Sequence, residues 1–306
     1  MSSRIIIGSR GSKLALVQAE WVRAQLMSLH PNTDVRIQII KTTGDVKTDP
    51  LSVIGGKGVF TKELEDALLR KQIDLAVHSL KDLPTIIPDG LGLAAVCDRE
   101  DARDALILSA NESIKLNSVK DLSCGAVVGT SSPRRLAQLS YLRPDLKYEE
   151  VRGNVDTRLR KLDEGQYDAL ILAVAGLKRL GLLSRINFPI PPEEMLPAVG
   201  QGALGLQTRR DAAMVNEAVA LLDHAPTRYA CTAERSLLKT LGGGCQLPIA
   251  AHAAISGVNL LLDGLVASRD GKQIVRSMIS GNIEDAEQLG NELGHRLLDS
   301  GASELL

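Results

Sequence analysis

The alternation of apolar and polar positions over the first 100 residues predicts an α/β unit. Strands are predicted at 4–9, 34–42, 73–80 and 91–98, and helices at 12–29 and 61–72. The strand segments are short apolar or alternating runs, whereas the helical segments repeat apolar residues every three or four positions. Because strands and helices take turns along the chain, we expect a mostly parallel sheet with helices on both faces.

The same rhythm returns near Ala105 and predicts a second α/β unit. Its strands are predicted at 104–110, 125–130, 147–153 and 167–176, and its helices at 132–142 and 154–165. A segment rich in proline and glycine follows, at 187–209. The end of that segment, 202–209, has the pattern of a strand that returns to the first unit, which would make the first unit discontinuous.

From about Ala220 the pattern changes to a helix, three strands and a closing helix. The strands are predicted at 249–256, 259–268 and 272–280, between helices at 227–241 and 284–301. The second turn contains Asp270-Gly271, a pair that favours hairpins. This predicts a small α+β domain with a three-stranded antiparallel sheet. We therefore expect three domains, at 1–100 with 200–219, at 101–199 and at 220–306.

Composition and charge narrow the range of partners. The chain has 306 residues, a net charge of -1 and only 2% aromatic residues, which gives no general attraction for nucleic acid or an anionic membrane. The first apolar run, Ile5–Ile7, is too short for a signal peptide, and no run approaches the roughly 20 residues of a membrane span. We expect a cytoplasmic monomer that acts on a small molecule, without nucleic acid or membrane.

Basic residues recur where a predicted strand turns into a helix. They are Arg10, Arg134, Arg135, Arg152, Arg158, Lys178 and Arg179. In open α/β sheets ligands bind at the carboxyl ends of the strands, where helix N-termini add positive potential. Ser132 with Pro133 has the pattern of a helix cap with proline in the first turn. Because the arginine fork binds both oxygens of a carboxylate, these turns predict a site for a ligand with many carboxylates or phosphates; any single one of these arginines could equally be a solvated surface residue.

Asp82 follows a buried strand and is expected at the same edge as these arginines. A carboxylate there could move a proton or stabilise a cationic intermediate, although aspartate also caps turns. The polar, glycine-rich segment 42–60 is either a mobile lid or an ordinary surface loop. It lacks the spacing of a phosphate-binding loop.

Cys245 stands in the glycine-rich stretch "LGGGCQLPIA" after a predicted helix. The four cysteines form no C-x-x-C pair, so we expect no zinc or other metal site, and a disulfide conflicts with a cytoplasmic location. The negative end of the helix disfavours a thiolate, which argues against a nucleophile that turns over. An attachment point and a small turn cysteine both remain open on these grounds.

The motifs of the whole chain together are specific. They include "IGSRGSKLAL", "GGKGVFTKELE", "DLAVHSLKDLP", "GTSSPRR", "VRGNVDTRL", "AVAGLKRLG", "LPAVGQGALG" and "GGGCQLPI". In these stretches, over nearly its full length, the sequence resembles the porphobilinogen deaminase (hydroxymethylbilane synthase) family. Ala250 stands where many members have glycine, and no expected functional residue is missing.

The resemblance implies two domains like type 2 periplasmic binding proteins, plus the third domain. It implies a transferase that joins four porphobilinogen molecules, with loss of ammonia, into the linear tetrapyrrole hydroxymethylbilane for tetrapyrrole (haem, chlorophyll) biosynthesis. The chain would grow on one dipyrromethane cofactor, bound covalently to Cys245. Asp82 would be the catalytic residue, which helps to protonate the leaving amine and stabilises the azafulvenium cation.

The resemblance also assigns binding residues. The cofactor would contact Lys81, Asp82, Thr130, Ser131, Ser132, Arg134 and Arg135. The substrate would contact Arg10, Ser12, Lys57, Phe60, Ser79, Arg152, Arg158 and Gln201. Two other functions are compatible with the arginine-rich edges. One is a non-enzymatic polycarboxylate-binding protein of the periplasmic-binding type; the other is a phosphate-transferring enzyme, which the missing phosphate loop disfavours.

Overall fold

The computed structural model describes residues 4–43, 58–110, 116–244 and 246–306. The chain divides into two compact units. The first contains Met1–Glu100 and Ala203–Tyr229, and the second contains Asp101–Gly202 and Ala230–Leu306.

The described residues form thirteen strands and eight α-helices. The strands are β1 (Arg4–Ser9), β2 (Asp34–Ile39), β3 (Leu75–Ser79), β4 (Leu91–Val96), β5 (Asp104–Leu108), β6 (Val127–Gly129), β7 (Lys147–Glu149), β8 (Ala169–Ala173), β9 (Phe188–Ile190), β10 (Leu204–Arg209), β11 (Ile249–Ser256), β12 (Asn259–Ala267) and β13 (Ile274–Asn282). The helices are α1 (Lys13–Leu29), α2 (Lys62–Leu69), α3 (Pro133–Leu142), α4 (Val155–Asp163), α5 (Val174–Arg179), α6 (Ala213–Ala220), α7 (Ala225–Thr240) and α8 (Ala286–Asp299). Among these helices none is long and apolar enough to cross a membrane.

The first unit is built on a five-stranded sheet in the order β2-β1-β3-β10-β4. β1 is parallel to β2 and β3, whereas β10 is antiparallel to β3 and β4. In β10, Leu204 pairs with Ser79 and Gly205 pairs with His78. The predicted return of residues 202–209 to the first sheet is therefore confirmed.

The second unit contains a sheet in the order β7-β6-β8-β5-β9, with the same sequence of strand directions. Here β5 is the antiparallel strand. The sequence did not predict β9, because it contains Pro189. Proline has no N–H to donate, but β9 lies at the edge of the sheet and pairs on one side only.

The predicted strand 167–176 is shorter than expected. β8 ends at Ala173, and α5 begins at Val174. Val174, Ala175 and Leu177 are buried in α5. Both elements are apolar, so hydropathy alone did not separate the end of the strand from the start of the helix.

The C-terminal part of the second unit is a three-stranded antiparallel sheet in the order β11-β12-β13. Its second hairpin turns at Asp270-Gly271, where Gly271 has φ 72. A left-handed φ favours glycine, which explains the residue at this turn. The predicted fold class, two α/β sheets with a small α+β part that carries a three-stranded antiparallel sheet, is confirmed.

Helices α7 and α8 approach each other closely because α8 carries glycine at the contact. A Cβ atom at Gly290 would lie 2.3 Å from the carbonyl oxygen of Ala233, and one at Gly294 would lie 2.7 Å from the side chain of Thr240. The contact is therefore made by the backbone of α8 and has no room for a methyl group.

Glu234 of α7 is fully buried and joins three parts of the second unit. Its Oε2 accepts a hydrogen bond from the backbone N–H of Gly200 at 2.7 Å, and its Oε1 accepts one from Ala253 in β11 at 2.8 Å. Hydrogen bonds to a charged group are among the stronger ones in proteins, and they satisfy two backbone donors away from water.

We expect Gly290→Ala to destabilise the protein, although alanine is the better helix former by about 1 kcal/mol. The added methyl group meets a backbone oxygen of α7, so we expect a net loss of about 1–3 kcal/mol in the free energy of unfolding. Urea unfolding measures this loss. Glu292→Ala, an exposed change on the same helix, is the control and should stay within about 0.5 kcal/mol of the parent. A Gly290→Ala protein as stable as the parent would show that the two helices can separate at little cost.

Candidate functional site

A pocket of the first unit lies where β1 and β3 end. Arg10 follows β1 directly, and Asp82 ends the single 3₁₀ turn Leu80–Asp82 that follows β3. The pocket is lined by five residues that the sequence assigned to the site: Arg10, Ser12, Phe60, Ser79 and Asp82. The parallel arrangement of β1 and β3 brings these residues together from distant parts of the chain.

The charged groups of this pocket differ in their surroundings. The guanidinium carbon of Arg10 lies 4.2 Å from the centre of the Phe60 ring, which is the geometry of a cation–π contact. Asp82 is half-buried, and its carboxylate has no hydrogen-bond or ion-pair partner within the described ranges.

The polar residues of the pocket also support its walls. The Oγ of Ser12 accepts a hydrogen bond from the backbone N–H of Ala15 at 3.4 Å and so caps α1. The Oγ of Ser79 and the side-chain amide of Gln18 lie 3.0 Å apart. Gln18, on the buried side of α1, was not among the residues that the sequence singled out.

Of the other predicted residues in this part of the chain, one does not line the pocket and one lies outside the described residues. Lys81 lies in the turn between Leu80 and Asp82 but is not among the residues that line the pocket. Lys57 and most of the predicted loop 42–60 lie outside the described residues.

The second unit carries a cluster of cations at the start of α3. Ser132 is the N-cap of this helix, and its Oγ accepts a hydrogen bond from the backbone N–H of Arg135. Pro133 occupies the first turn, so the predicted cap is confirmed. The side chains of Arg134 and Arg135 are not at the surface, since the two residues are only 5% and 7% exposed.

The two guanidinium groups meet at the carboxylate of Asp104, the first residue of β5. Nη1 of Arg134 donates to Oδ2 of Asp104 at 2.7 Å. Nε and Nη2 of Arg135 donate to Oδ1 at 3.0 and 2.7 Å. Nε2 of Gln201 donates to the same Oδ1 at 2.9 Å. Asp104 is fully buried, so these bonds replace all of its water.

Burial alone would raise the pKa of Asp104, but the charges and hydrogen bonds of Arg134 and Arg135 outweigh this effect. The pKa of this carboxyl is held well below its usual range, and Asp104 is ionised at neutral pH. Backbone oxygens take further guanidinium donors: Arg134 donates to Leu196 at 2.7 Å, and Arg135 donates to Ile171 at 2.9 Å.

Arg158 adds positive charge near this cluster. Burial and the neighbouring Arg135 lower the pKa of Arg158 to about 10, and its Nε donates to the backbone oxygen of Gly153 at 2.8 Å. Arg152 differs, because it forms an ion pair of 2.7 Å with Glu150 at the surface.

The remaining predicted residues of this unit, Thr130 and Ser131, hold the turn before α3. Ser131 donates its hydroxyl to the backbone oxygen of Val151, and Thr130 accepts from the backbone N–H of Ser132 at 3.3 Å. These bonds fix the loop that precedes the helix. Within the described ranges, no group of three or more histidine, cysteine, aspartate or glutamate residues could hold a metal ion.

Asp104 was not among the residues that the sequence singled out. A signal for it exists, because an aspartate opens the segment "DALIL", all five residues of which are buried. A buried charge needs a partner, and two adjacent arginines lie about thirty residues further along the chain. Nothing in the periodicity shows that these side chains meet.

The segment that carries Cys245 is described only on its two sides, because Cys245 itself lies outside the described residues. α7 ends at Thr240, and Gly242 has φ 65. The backbone N–H of Gly243 donates to the oxygen of Leu238 at 3.0 Å. The predicted termination of this helix by glycine is confirmed.

Asp104→Asn is expected to lower the free energy of unfolding by about 3–5 kcal/mol, because it leaves two buried guanidinium groups without a counter-charge. Asp163→Asn is the control, since Asp163 pairs with Arg185 closer to the surface. Loss of that pair should cost about 0–1 kcal/mol. Equal losses in the two variants, measured by urea unfolding, would contradict the assigned role of Asp104.

The difference between parent and Asp104→Asn should depend on pH. The carboxyl of Asp104 has a lower pKa in the folded chain than the value of about 3.9 in the unfolded chain. Its contribution is therefore complete above about pH 4 and declines as the pH falls below that value. Unfolding curves at pH 7 and pH 3 should show a smaller difference at pH 3.

Two of the solved structures that match this chain do so at low sequence identity and low structural similarity. Full-length BenM, in a mutant form, is 15% identical with a TM-score of 0.42, covering 79% of this chain and 69% of that chain. A probable amino-acid ABC transporter extracellular-binding protein, YtmK from Bacillus subtilis, is 10% identical with a TM-score of 0.43, covering 72% of this chain and 90% of that chain.

Much closer relatives exist among curated proteins. The porphobilinogen deaminase of Pelobacter propionicus is 50% identical over 301 residues, which cover 98% of this chain and 95% of that protein. The porphobilinogen deaminase of Synechococcus sp. (strain RCC307) is 51% identical over 307 residues, which cover 100% of this chain and 96% of that protein.

Two family models account for most of the chain. The model described as "Porphobilinogen deaminase, dipyromethane cofactor binding domain" matches residues 5–217. The model described as "Porphobilinogen deaminase, C-terminal domain" matches residues 228–299, which include Cys245. The chain belongs to the porphobilinogen deaminase family.

Proposed function

We propose that Asp82 is the catalytic residue of this chain and that Cys245 carries its dipyrromethane. Membership in the family makes the chain a transferase of tetrapyrrole synthesis, hydroxymethylbilane synthase, which joins four porphobilinogen molecules with release of ammonia. The observation that carries the proposal for Asp82 is its place in the pocket of the first unit. Its carboxylate has no partner among the described residues, and Arg10 and Ser79 line the same pocket.

A carboxylate in this pocket suits the chemistry of ammonia release. Porphobilinogen brings a pyrrole N–H and an ammonium group, both of which donate hydrogen bonds. Asp82 can accept from them, hold the proton at the leaving nitrogen and stabilise the positive charge that develops on the ring as the amine departs. Arg10, fixed over the Phe60 ring, can bind a side-chain carboxylate of the same substrate.

The cations of the second unit fit the carboxylates of dipyrromethane. Asp104 provides one negative charge to two guanidinium groups, and Arg158 adds a third close to Arg135. Glu150 offsets part of the charge of Arg158, and the three cations still exceed these two carboxylates by one charge. When bound, the dipyrromethane supplies the pyrrole end onto which the substrate is added, and a surplus of fixed cations stabilises its acetate and propionate groups.

We extend the proposal to the other residues that the sequence assigned. The cofactor would be held by Lys81, Asp82, Thr130, Ser131, Ser132, Arg134 and Arg135, and the substrate by Arg10, Ser12, Lys57, Phe60, Ser79, Arg152 and Arg158. Gln201 takes a supporting part, because its Nε2 donates to Asp104 at 2.9 Å and to the backbone oxygen of Ala102 at 2.7 Å.

Three domains are proposed, at 1–100 with 200–219, at 101–199 and at 220–306. The three separate sheets support this division. Separate apolar clusters support it too: one contains Ile7 and Leu206, and another contains Leu106 and Val128. We also propose a cytoplasmic monomer that binds no nucleic acid and no membrane, in line with the net charge of -1.

A non-enzymatic polycarboxylate-binding protein is not favoured as an alternative. Relatives about 50% identical over almost the full length are named porphobilinogen deaminase, and the C-terminal family model covers the segment with Cys245. A binding protein of the periplasmic type would need neither that segment nor its cysteine.

We predict that intact mass spectrometry of the denatured parent protein shows the polypeptide plus two linked pyrroles. Cys245→Ser should show the bare polypeptide and no turnover. Cys124→Ser is the control, because Cys124 is an exposed free cysteine, and this variant should keep the adduct. An active parent protein with a bare mass, or an adduct that persists in Cys245→Ser, would refute the attachment.

We predict that Asp82→Asn keeps the adduct and binds substrate but loses at least about 100-fold in kcat, the typical contribution of a positioned acid–base group. Asp89→Asn is the matched control, since Asp89 is exposed in the same unit. Release of ammonia, followed under saturating porphobilinogen, measures the loss. Near-normal turnover by Asp82→Asn would exclude the catalytic role.

A further inference from the structure

A chain of three buried polar side chains runs from α2 along one face of the first sheet, and its last member lines the pocket of Asp82. Nε2 of Gln207, on β10, donates to Oε1 of Glu65, on α2, at 3.0 Å. Nε2 of His78, on β3, lies 2.9 Å from Oε1 of the same glutamine. Glu65, His78 and Gln207 are 8%, 5% and 0% exposed. Their surroundings include the apolar residues of α2, so the three polar groups depend on one another for hydrogen bonds.

The chain of hydrogen bonds has a direction. Burial raises the pKa of Glu65, and the hydrogen bond from Gln207 opposes this shift by stabilising the ionised form. In that form the carboxylate only accepts, so Glu65 turns the NH₂ group of Gln207 toward itself and the amide oxygen toward His78. An amide oxygen also only accepts, so Nε2 of His78 must carry the hydrogen. In an uncharged ring the other nitrogen, Nδ1, then has a free lone pair, and Nδ1 has no partner among the described residues.

The ring of His78 is uncharged at neutral pH. The pKa of His78 is lowered to about 4, mainly by burial; the hydrogen bond to Gln207 raises it in part, and the charge of Arg10 adds to the lowering. His78 lines the pocket together with Asp82, Arg10 and Ser79. The pocket thus holds the carboxylate of Asp82, the guanidinium group of Arg10 and the uncharged ring of His78, whose tautomer is fixed by the hydrogen bond to Gln207.

We infer that Glu65 and Gln207 are positioning residues that fix His78 as a hydrogen-bond acceptor for substrate, with Nδ1 receiving an N–H of porphobilinogen beside Asp82. The inference rests on the proposed function of the pocket. An uncharged acceptor binds a pyrrole N–H or an aminomethyl group without taking its proton, which leaves proton transfer to Asp82. No covalent step at His78 is involved.

Two substitutions of His78 separate this role from a structural one. His78→Asn keeps an acceptor near the place of Nδ1 and loses the bond to Gln207. His78→Gln keeps a donor near the place of Nε2 for Gln207 and loses the acceptor. We expect His78→Gln to be the more stable variant and to lose about 3- to 10-fold more in kcat/KM than His78→Asn, the range for one uncharged hydrogen bond. If the more stable of the two variants is also the more active one, His78 has only a structural role and the inference fails.

A spectroscopic measurement on the cofactor-loaded protein gives an independent test. With ¹⁵N-labelled histidine, the signals of His78 are those absent from His78→Gln. We expect a protonated Nε2 and an unprotonated Nδ1 near neutral pH, and a shift of the Nδ1 signal when porphobilinogen is added. Gln207→Leu should mix the two tautomers. A charged ring, the opposite tautomer, or an Nδ1 signal that does not respond to porphobilinogen would overturn the inference.

These measurements distinguish a failure of the inference about His78 from a failure of the proposed function. If the parent protein consumes porphobilinogen and carries the adduct while both His78 variants match it in kcat/KM, the proposed function stands and the inference fails. If the parent protein forms no tetrapyrrole, the proposed function itself fails.

Discussion

The ion pairs of Asp104 with Arg134 and Arg135 are the interaction on which the cationic part of the second unit depends. Both arginines belong to the first turn of α3, and both side chains are buried. Two guanidinium groups in the interior would each cost several kcal/mol without compensation. The fully buried carboxylate of Asp104 and the backbone oxygens of Leu196 and Ile171 compensate for this cost. They also hold the two guanidinium groups in one geometry. A rigid cation loses little entropy when it binds a carboxylate, so the same bonds suit the role in cofactor binding that we propose for these arginines.

Strands at equivalent positions of the two α/β sheets are followed by different functional groups. β1 and β6 occupy the second position of their sheets, and each is followed by arginine: Arg10 in the first unit, Arg134 and Arg135 in the second. β3 and β8 occupy the third position, and β3 is followed by Asp82, whose carboxylate has no partner in the described part of the chain. β8 instead runs directly into the apolar start of α5. One topology thus holds buried ion pairs in one unit and, in the other, the carboxylate that we propose as the acid–base group.

In the C-terminal part of the second unit, the geometry depends instead on small residues and one buried carboxylate. Gly290 brings α8 against the backbone of α7, and Gly264 leaves room on β12 for leucines of both helices. Glu234 then connects α7 to β11 and to the turn at Gly200. The segment that contains Cys245, where we propose that the cofactor is attached, thus connects two well-packed elements, α7 and β11.

The sequence by itself determined the local elements, because their causes are local. Apolar periodicity predicted most strands and helices, Ser132 and Pro133 predicted the start of α3, and glycine predicted the end of α7. Basic residues at strand ends predicted an anion site, and the motifs predicted the family. Only the tertiary structure decided that Arg134 and Arg135 bind Asp104, and that Gln207 meets His78 and Glu65, from which it is 129 and 142 residues distant in the sequence. Such contacts arise from strand order and register, which bring together residues that no local pattern relates.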